Sequence, residues 1–244
     1  MSDDKHHSDH QPRRDFLLKS LVGAAGAAVM PLNAASAAAA APAPAGDAAP
    51  GYQWLKPDEQ AFVEALVDHM CPADQLSAGG VDLGLNIYFD RALAGNWGQG
   101  DRLYLQGPFK SGTPNQGYQL GMTPAQLFRI GSEGLTVYCL ASYQKPFDRL
   151  APDVREQVLK GLQSGKIVLP NGVPSDTYFA QLLQMFYEAM FADPIYGGNK
   201  DMVGWSLIGF PGARYDYAPY VLKHGERYPL PPVGLMGRPE WTKS

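Results

Sequence analysis

The sequence predicts an all-α protein, an irregular helical domain with long loops and an extended, proline-rich C-terminal tail. Three observations carry that prediction. Apolar residues recur at three- and four-residue steps in successive stretches, as one face of an α-helix requires. No stretch shows the sustained apolar–polar alternation of a half-buried strand. The 27 glycines and 21 prolines punctuate the 244 residues often, which favours short helices joined by loops. A hydrophobic fraction of 45% is enough for a real core.

Residues 1–49 read as an address rather than as part of the fold. Arg13 and Arg14 are followed by Asp15, Phe16, Leu17, Leu18 and Lys19, then by a weakly apolar run to Met30 and small residues around Ala35 to Ala41. The arginine pair with Phe16 and Leu17 predicts a twin-arginine export signal, an address read by the translocase. Pro12 stands where a small hydroxyl residue is usual. The apolar run is shorter than the ~20 residues a membrane span needs. His6, His7 and His10 precede the signal and are expected to leave with it. The Ala- and Pro-rich tract up to Pro50 reads as cleavage region and flexible linker. The expected organisation is signal and linker over 1–49, a helical domain over 50–213 and a tail over 214–244.

Each expected helix has a start signal. Pro57 opens the first at the position where a missing N–H costs least, with Asp58 and Glu59 in the first turn. Phe62, Val63, Leu66, Val67 and Met70 give it a buried face, and Pro72 ends it near Cys71. Glu64, Asp68 and His69 on this helix read as a solvated face. Gly79 and Gly80 make a turn, and a second helix is expected over residues 82–94. The long stretch over 95–121 is rich in Gly, Pro, Gln and Asn, and its Tyr104, Phe109 and Tyr118 suggest a contact loop. Thr123, Pro124, Ala125 and Gln126 form a capping box for a third helix that gives out before Pro146. Gly131 and Gly134 within it predict close approach of another helix. Pro152 opens a fourth helix that closes at Gly165.

The fifth expected helix, over residues 175–192, organises the rest. Tyr178, Phe179, Leu182, Leu183, Phe186, Tyr187, Met190 and Phe191 fall on one broad face, with Ser175 as a cap. The helix breaks into Asp193, Pro194, Ile195, Tyr196, Gly197, Gly198 and Asn199, runs on to Trp205, and breaks again at Ile208, Gly209, Phe210, Pro211, Gly212 and Ala213. These segments read as a structural or interface site presented by rigid loops. Beyond them, prolines at 229, 231 and 232 favour extended chain that either wraps the parent domain or lies on a partner, the latter being the expectation.

Catalytic chemistry is hard to place. Past the signal the only histidines are His69 and His224, and no Gly-x-Ser-x-Gly turn, dinucleotide fingerprint, haem-attachment motif or cysteine set for an iron–sulfur cluster is present. Residues 161–166 resemble a phosphate loop one residue short, with Ile167 where a magnesium-binding hydroxyl belongs, and read as a helix end. Cys71 and Cys139 could form a bridge, remain free thiols, or include one that bonds a partner chain. The net charge of −4 and the absence of a basic block after the signal argue against a nucleic-acid partner. Two classes follow: a non-catalytic subunit that escorts an enzyme, or a free-standing periplasmic hydrolase assembled from residues such as Asp193, Asp201 and His69.

The run from Asp193 to Asn199, with Trp205 and the segment through Ala213, resembles the gluconate 2-dehydrogenase subunit 3 family. The resemblance implies a small, non-catalytic subunit of a membrane-associated flavoprotein dehydrogenase. It implies no catalytic residue and no cofactor in this chain, with FAD, an iron–sulfur cluster and haem c in partner subunits. The implied partners are an FAD-dependent large subunit and a multihaem cytochrome c, with the twin-arginine translocase for export. The implied location is the periplasm, peripheral to the inner membrane through the complex. The related dehydrogenases oxidise gluconate, glucose, fructose or sorbitol.

Overall fold

Four prolines and one threonine at helix starts, Pro57, Thr123, Pro124, Pro152 and Pro174, set most of the architecture, which a computed structural model describes for residues 51–237 apart from 111, 114, 115, 117 and 118. Arg13, Arg14, Phe16, Leu17 and Tyr118 lie outside the described residues. Among those described there are six α-helices and no β-strand. They are α1 (Pro57–Met70), α2 (Leu85–Ala94), α3 (Pro124–Tyr143), α4 (Pro152–Gln163), α5 (Ser175–Phe191) and α6 (Val203–Ile208). Short 3-10 turns at Phe147–Arg149, Pro194–Tyr196, Lys200–Met202 and Ala218–Tyr220 fill the connections. No helix among the described residues is long and apolar enough to cross a membrane.

Helix α5 is the hub. It packs against α2, α3, α4 and α6, while α1 packs on α2 and on the Phe147–Arg149 turn. Its buried stripe is Tyr178, Gln181, Leu182, Met185, Phe186, Ala189 and Met190, a proper three-four repeat. The broad aromatic face expected from sequence is therefore split. Tyr178, Leu182, Phe186 and Met190 go into the core, whereas Tyr187 and Phe191 stay 54% and 38% exposed. Ser175 does not cap the helix: it is the first helical residue after Pro174, and its side chain makes no capping bond.

Several expectations follow through. Thr123 Oγ1 accepts from the Gln126 N–H, and Gln126 Oε1 accepts from the Thr123 N–H at 2.9 Å, closing the capping box. Gly165, at φ +68, closes α4 as a C-cap glycine does. A Cβ on Gly131 would overlap the Tyr178 ring, so α3 and α5 touch there as predicted. Gly134 instead faces the side chain of Asn171, in the loop before α5. Helix α2 starts three residues later than expected. Residues 80–84 form turns, and Gly84 sits at φ +74 before the first helical residue.

Two networks hold the N-terminal edge, neither legible in the helical repeat. The carboxylate of Asp90, buried on α2, accepts backbone N–H groups from Gln53 (2.7 Å), Trp54 (2.9 Å) and Leu55 (2.9 Å). Glu59 pairs with Arg129 at 2.9 Å, and the guanidinium lies 3.9 Å over the Trp54 ring. The residues of α1 expected to face solvent are also engaged. Glu64 accepts from the Tyr52 hydroxyl, Asp68 accepts from the Val81 N–H at 2.9 Å, and His69 lies 2.9 Å from Glu156 on α4.

The far end of the tail returns to the domain, the first of the two courses its prolines allow. It folds back, pairing Gly212 with Val233 in a parallel bridge whose Ala213 N–H donates to the Val233 carbonyl at 2.6 Å. Val233 is buried there. The long stretch 95–121 is only partly tied down. Phe109 lies against Gly121, but Tyr104 is 82% exposed.

Candidate interface

The loop that follows α5 is a clasp whose Asp193 and Asn199 side chains both bond inward. Asp193 is the pivot. Its Oδ1 accepts from the Ile195 N–H at 3.0 Å, capping the Pro194–Tyr196 turn, and its Oδ2 accepts from the Leu235 N–H at 2.7 Å, holding the returning tail. Pro194 supplies a preset backbone angle at the first position of that turn.

Gly197 lies at φ +112, a conformation open to glycine, and its carbonyl packs so closely on Gly84 that a Cβ there would sit 2.6 Å from the oxygen. A Cβ on Gly198 would overlap the Ala189 carbonyl of α5. The two glycines thus let the loop lie flat between the start of α2 and the end of α5. The Lys200 N–H completes the join by donating to the Leu83 carbonyl at 3.1 Å.

Asn199 is fully buried in the left-handed region, at φ +49. Its Nδ2 donates to the Ala192 carbonyl at 2.9 Å, and its Oδ1 accepts from the Gly204 N–H at 2.8 Å. One amide therefore satisfies the last turn of α5 and the start of α6 together. Trp205 Nε1 donates to the Phe191 carbonyl at 2.6 Å, and its ring meets Phe210 edge-on at 5.1 Å. Pro211 accepts from the Val233 N–H at 3.3 Å, and Gly212, at φ +79, leaves room for the Val233 backbone.

What the clasp leaves outside is apolar. Tyr88, Tyr187, Glu188, Phe191, Ala192 and Tyr196 line an open groove of ≈ 520 Å³, with Tyr196 56% exposed. Its one carboxylate, Glu188, is partnered: it accepts from the Tyr88 hydroxyl at 2.9 Å and from Gln184 Nε2 at 2.8 Å. Burial, then the Glu188 charge and hydrogen bond, push the Tyr88 hydroxyl well above its usual range, so it stays protonated. The wall is fit to be covered by another apolar surface and carries no poised acid or base.

The residues suggested for a hydrolase do not form a site. Both oxygens of Asp193 are taken by backbone N–H groups, and Asp201 is an exposed residue at φ +55. His69 lines a separate groove with Glu156, Lys160, Phe179 and Leu183 that includes neither aspartate. Among the described residues no three His, Cys, Asp or Glu side chains are grouped to hold a metal ion. Cys71 and Cys139 are free thiols, not a bridge. Cys139 is enclosed on α3, where burial pushes its thiol up to about 11, and Cys71 ends α1 with its thiol also raised, chiefly by burial.

Sequence reasoning missed the Asp90 and Glu59 networks and the Asp193–Leu235 tie. No spacing rule in the sequence pairs these residues. It found the clasp itself, because its glycines, proline and aspartate signal a rigid turn directly.

The family model described as gluconate 2-dehydrogenase subunit 3 matches residues 57–212. No curated protein and no solved structure matches the chain. The matched span opens at the proline that starts α1 and ends at the glycine that receives the returning tail, and it covers well over half of the chain. This chain belongs to the gluconate 2-dehydrogenase subunit 3 family, a family of small dehydrogenase subunits.

Proposed function

We propose that the chain is the non-catalytic small subunit of a periplasmic, membrane-associated flavoprotein dehydrogenase of the gluconate 2-dehydrogenase type, and that it binds, stabilises and escorts the FAD-bearing large subunit. The single observation that carries this reading is the division of labour in the clasp. Its Asp193 and Asn199 side chains are consumed in holding α5, α6 and the tail together, while Tyr187, Phe191 and Tyr196 are left on the surface around an apolar groove. A site built that way offers contact area and no nucleophile or base.

In this reading Arg13 and Arg14 supply the export signal for the pair, so that the large subunit crosses the membrane folded with its FAD. The iron–sulfur cluster and haem c belong to partner chains, and a multihaem cytochrome c subunit receives the electrons. No residue of this chain is assigned to substrate or cofactor.

The test is co-expression with the flavoprotein. Arg13→Lys with Arg14→Lys should leave FAD-loaded large subunit in the cytoplasm, and Phe191→Asp with Tyr196→Asp should abolish co-purification of the two chains. Sugar-acid oxidation by this chain alone would overturn the proposal, as would undiminished periplasmic flavoprotein activity after its deletion.

A further inference from the structure

Three ties bring the tail back to the loop after α5 and fix where it arrives. Val233 pairs with Gly212, the Leu235 N–H donates to Asp193 Oδ2 at 2.7 Å, and the Gly237 N–H donates to the Gly234 carbonyl at 2.9 Å, closing a turn. A Cβ on Gly234 would sit 3.3 Å from Asp193 Oδ2, so this turn lies directly on the aspartate. Asp193 stands between Ala192, which lines the apolar groove, and the Pro194–Tyr196 turn, whose Tyr196 also lines it. Gly237 is thereby delivered beside one lip of the groove.

Residues 238–244 follow and lie outside the described residues. Trp241 is their one large apolar residue. It stands four positions beyond Gly237, a reach of at most about 14 Å in extended chain. The groove suits an indole, since Tyr88, Tyr187, Phe191 and Tyr196 offer ring faces and edges around ≈ 520 Å³. The charges also match. Glu188 is the one charged residue lining the groove, and the segment sets Arg238 and Lys243 against the single acid Glu240. A tether of a few residues holds the indole at a high effective concentration, so a modest contact is enough to seat it.

We propose that residues 238–244 are a strap that covers this groove in the free chain, with Trp241 seated among Tyr88, Tyr187, Phe191 and Tyr196. The occupant is the chain's own because the ties at Asp193 and Gly212 aim it there, and because its one anchor residue has the chemistry of the groove wall. The strap goes beyond the function proposed above. A partner that uses the groove must first displace Trp241, and its apparent affinity falls with the fraction of chains in which the strap is down.

The test is fluorine NMR of the full chain labelled with fluorotryptophan. The four tryptophans give separate signals, and Trp241→Phe assigns the one from position 241. On transfer to heavy water that signal should shift far less than free fluorotryptophan does. Tyr187→Asp, at a position 54% exposed, should restore the full solvent shift at Trp241. Unchanged signals from Trp54, Trp97 and Trp205 show that the variant is folded. A native Trp241 signal with the solvent shift of the free amino acid would overturn the proposal. So would protection that survives Tyr187→Asp, which would seat the indole elsewhere. Protection lost on dilution, as a dimer seen by sedimentation dissociates, would make a second copy the occupant and overturn it too. Every reading is taken on the chain alone, so it stands whether or not the flavoprotein binds.

Discussion

The Asp193 carboxylate accepts the Leu235 N–H at 2.7 Å, a bond that spans 42 residues of chain and ties the loop after α5 to the far end of the tail. The same side chain caps its own turn through Ile195. Asp193→Ala removes both acceptors at once. The expected cost is about 1–2 kcal/mol, and the specific signature is faster amide exchange at residues 233–237 with the helices unchanged. Hydrogen exchange read by mass spectrometry checks this, along with earlier proteolytic cleavage within residues 213–232.

Asn199 is a harder position to replace. Asn199→Ala strands the Ala192 carbonyl and the Gly204 N–H in a buried site and puts a Cβ-bearing residue without a compensating hydrogen bond at φ +49. Destabilisation of about 2–4 kcal/mol is expected, from two orphaned backbone groups. Asn199→Gly relieves the backbone strain but not the lost bonds and should fall between. Denaturant midpoints of the three proteins measure the order.

Gly131 tests the α3–α5 contact. An alanine there meets the ring of Tyr178, which is fully buried and shares a 2.8 Å hydrogen bond with Ser132. The ring cannot move out of the way without breaking that bond. A loss of about 1–3 kcal/mol follows from overpacking, seen as a lower thermal midpoint. Gly134→Ala should be milder, because the atoms it meets belong to an exposed loop asparagine.

Alkaline pH should unfold the protein through its enclosed thiol and phenols. The Cys139 thiol ionises near 9.0 when free and is pushed up to about 11 in the fold. The unfolded chain therefore loses that proton first. The stabilisation is complete below pH 9.0 and falls away as pH rises towards about 11. Tyr178 is raised by burial and acts in the same direction. Cys139→Ser should flatten part of the alkaline slope. In the native protein at neutral pH, iodoacetamide should modify Cys71 alone, with Cys139 reacting only after unfolding, as intact mass will show.

Local signals made much of this fold readable. Proline at the first helical position marks α1, α3 and α4, and the Thr123–Gln126 box places α3 to the residue. The clasp was legible for the same reason: Asp193, Pro194, Gly197 and Gly198 encode a rigid turn wherever they occur. The split of α5 was not. Tyr187 and Tyr178 carry the same chemistry, and only the neighbouring helices decide which is covered. The Asp90 clamp and the Asp193–Leu235 tie join residues 35–42 positions apart through side chain–backbone hydrogen bonds, and no periodicity reports such a pair. The course of the tail was not legible, because its prolines are compatible with both an extended and a folded-back path.

The three N–H groups gathered by Asp90 make Gln53 to Leu55 a strain-relief anchor ahead of α1. A pull on the chain ahead of Gln53 therefore meets three bonds to a carboxylate on α2 before it meets the first turn of α1.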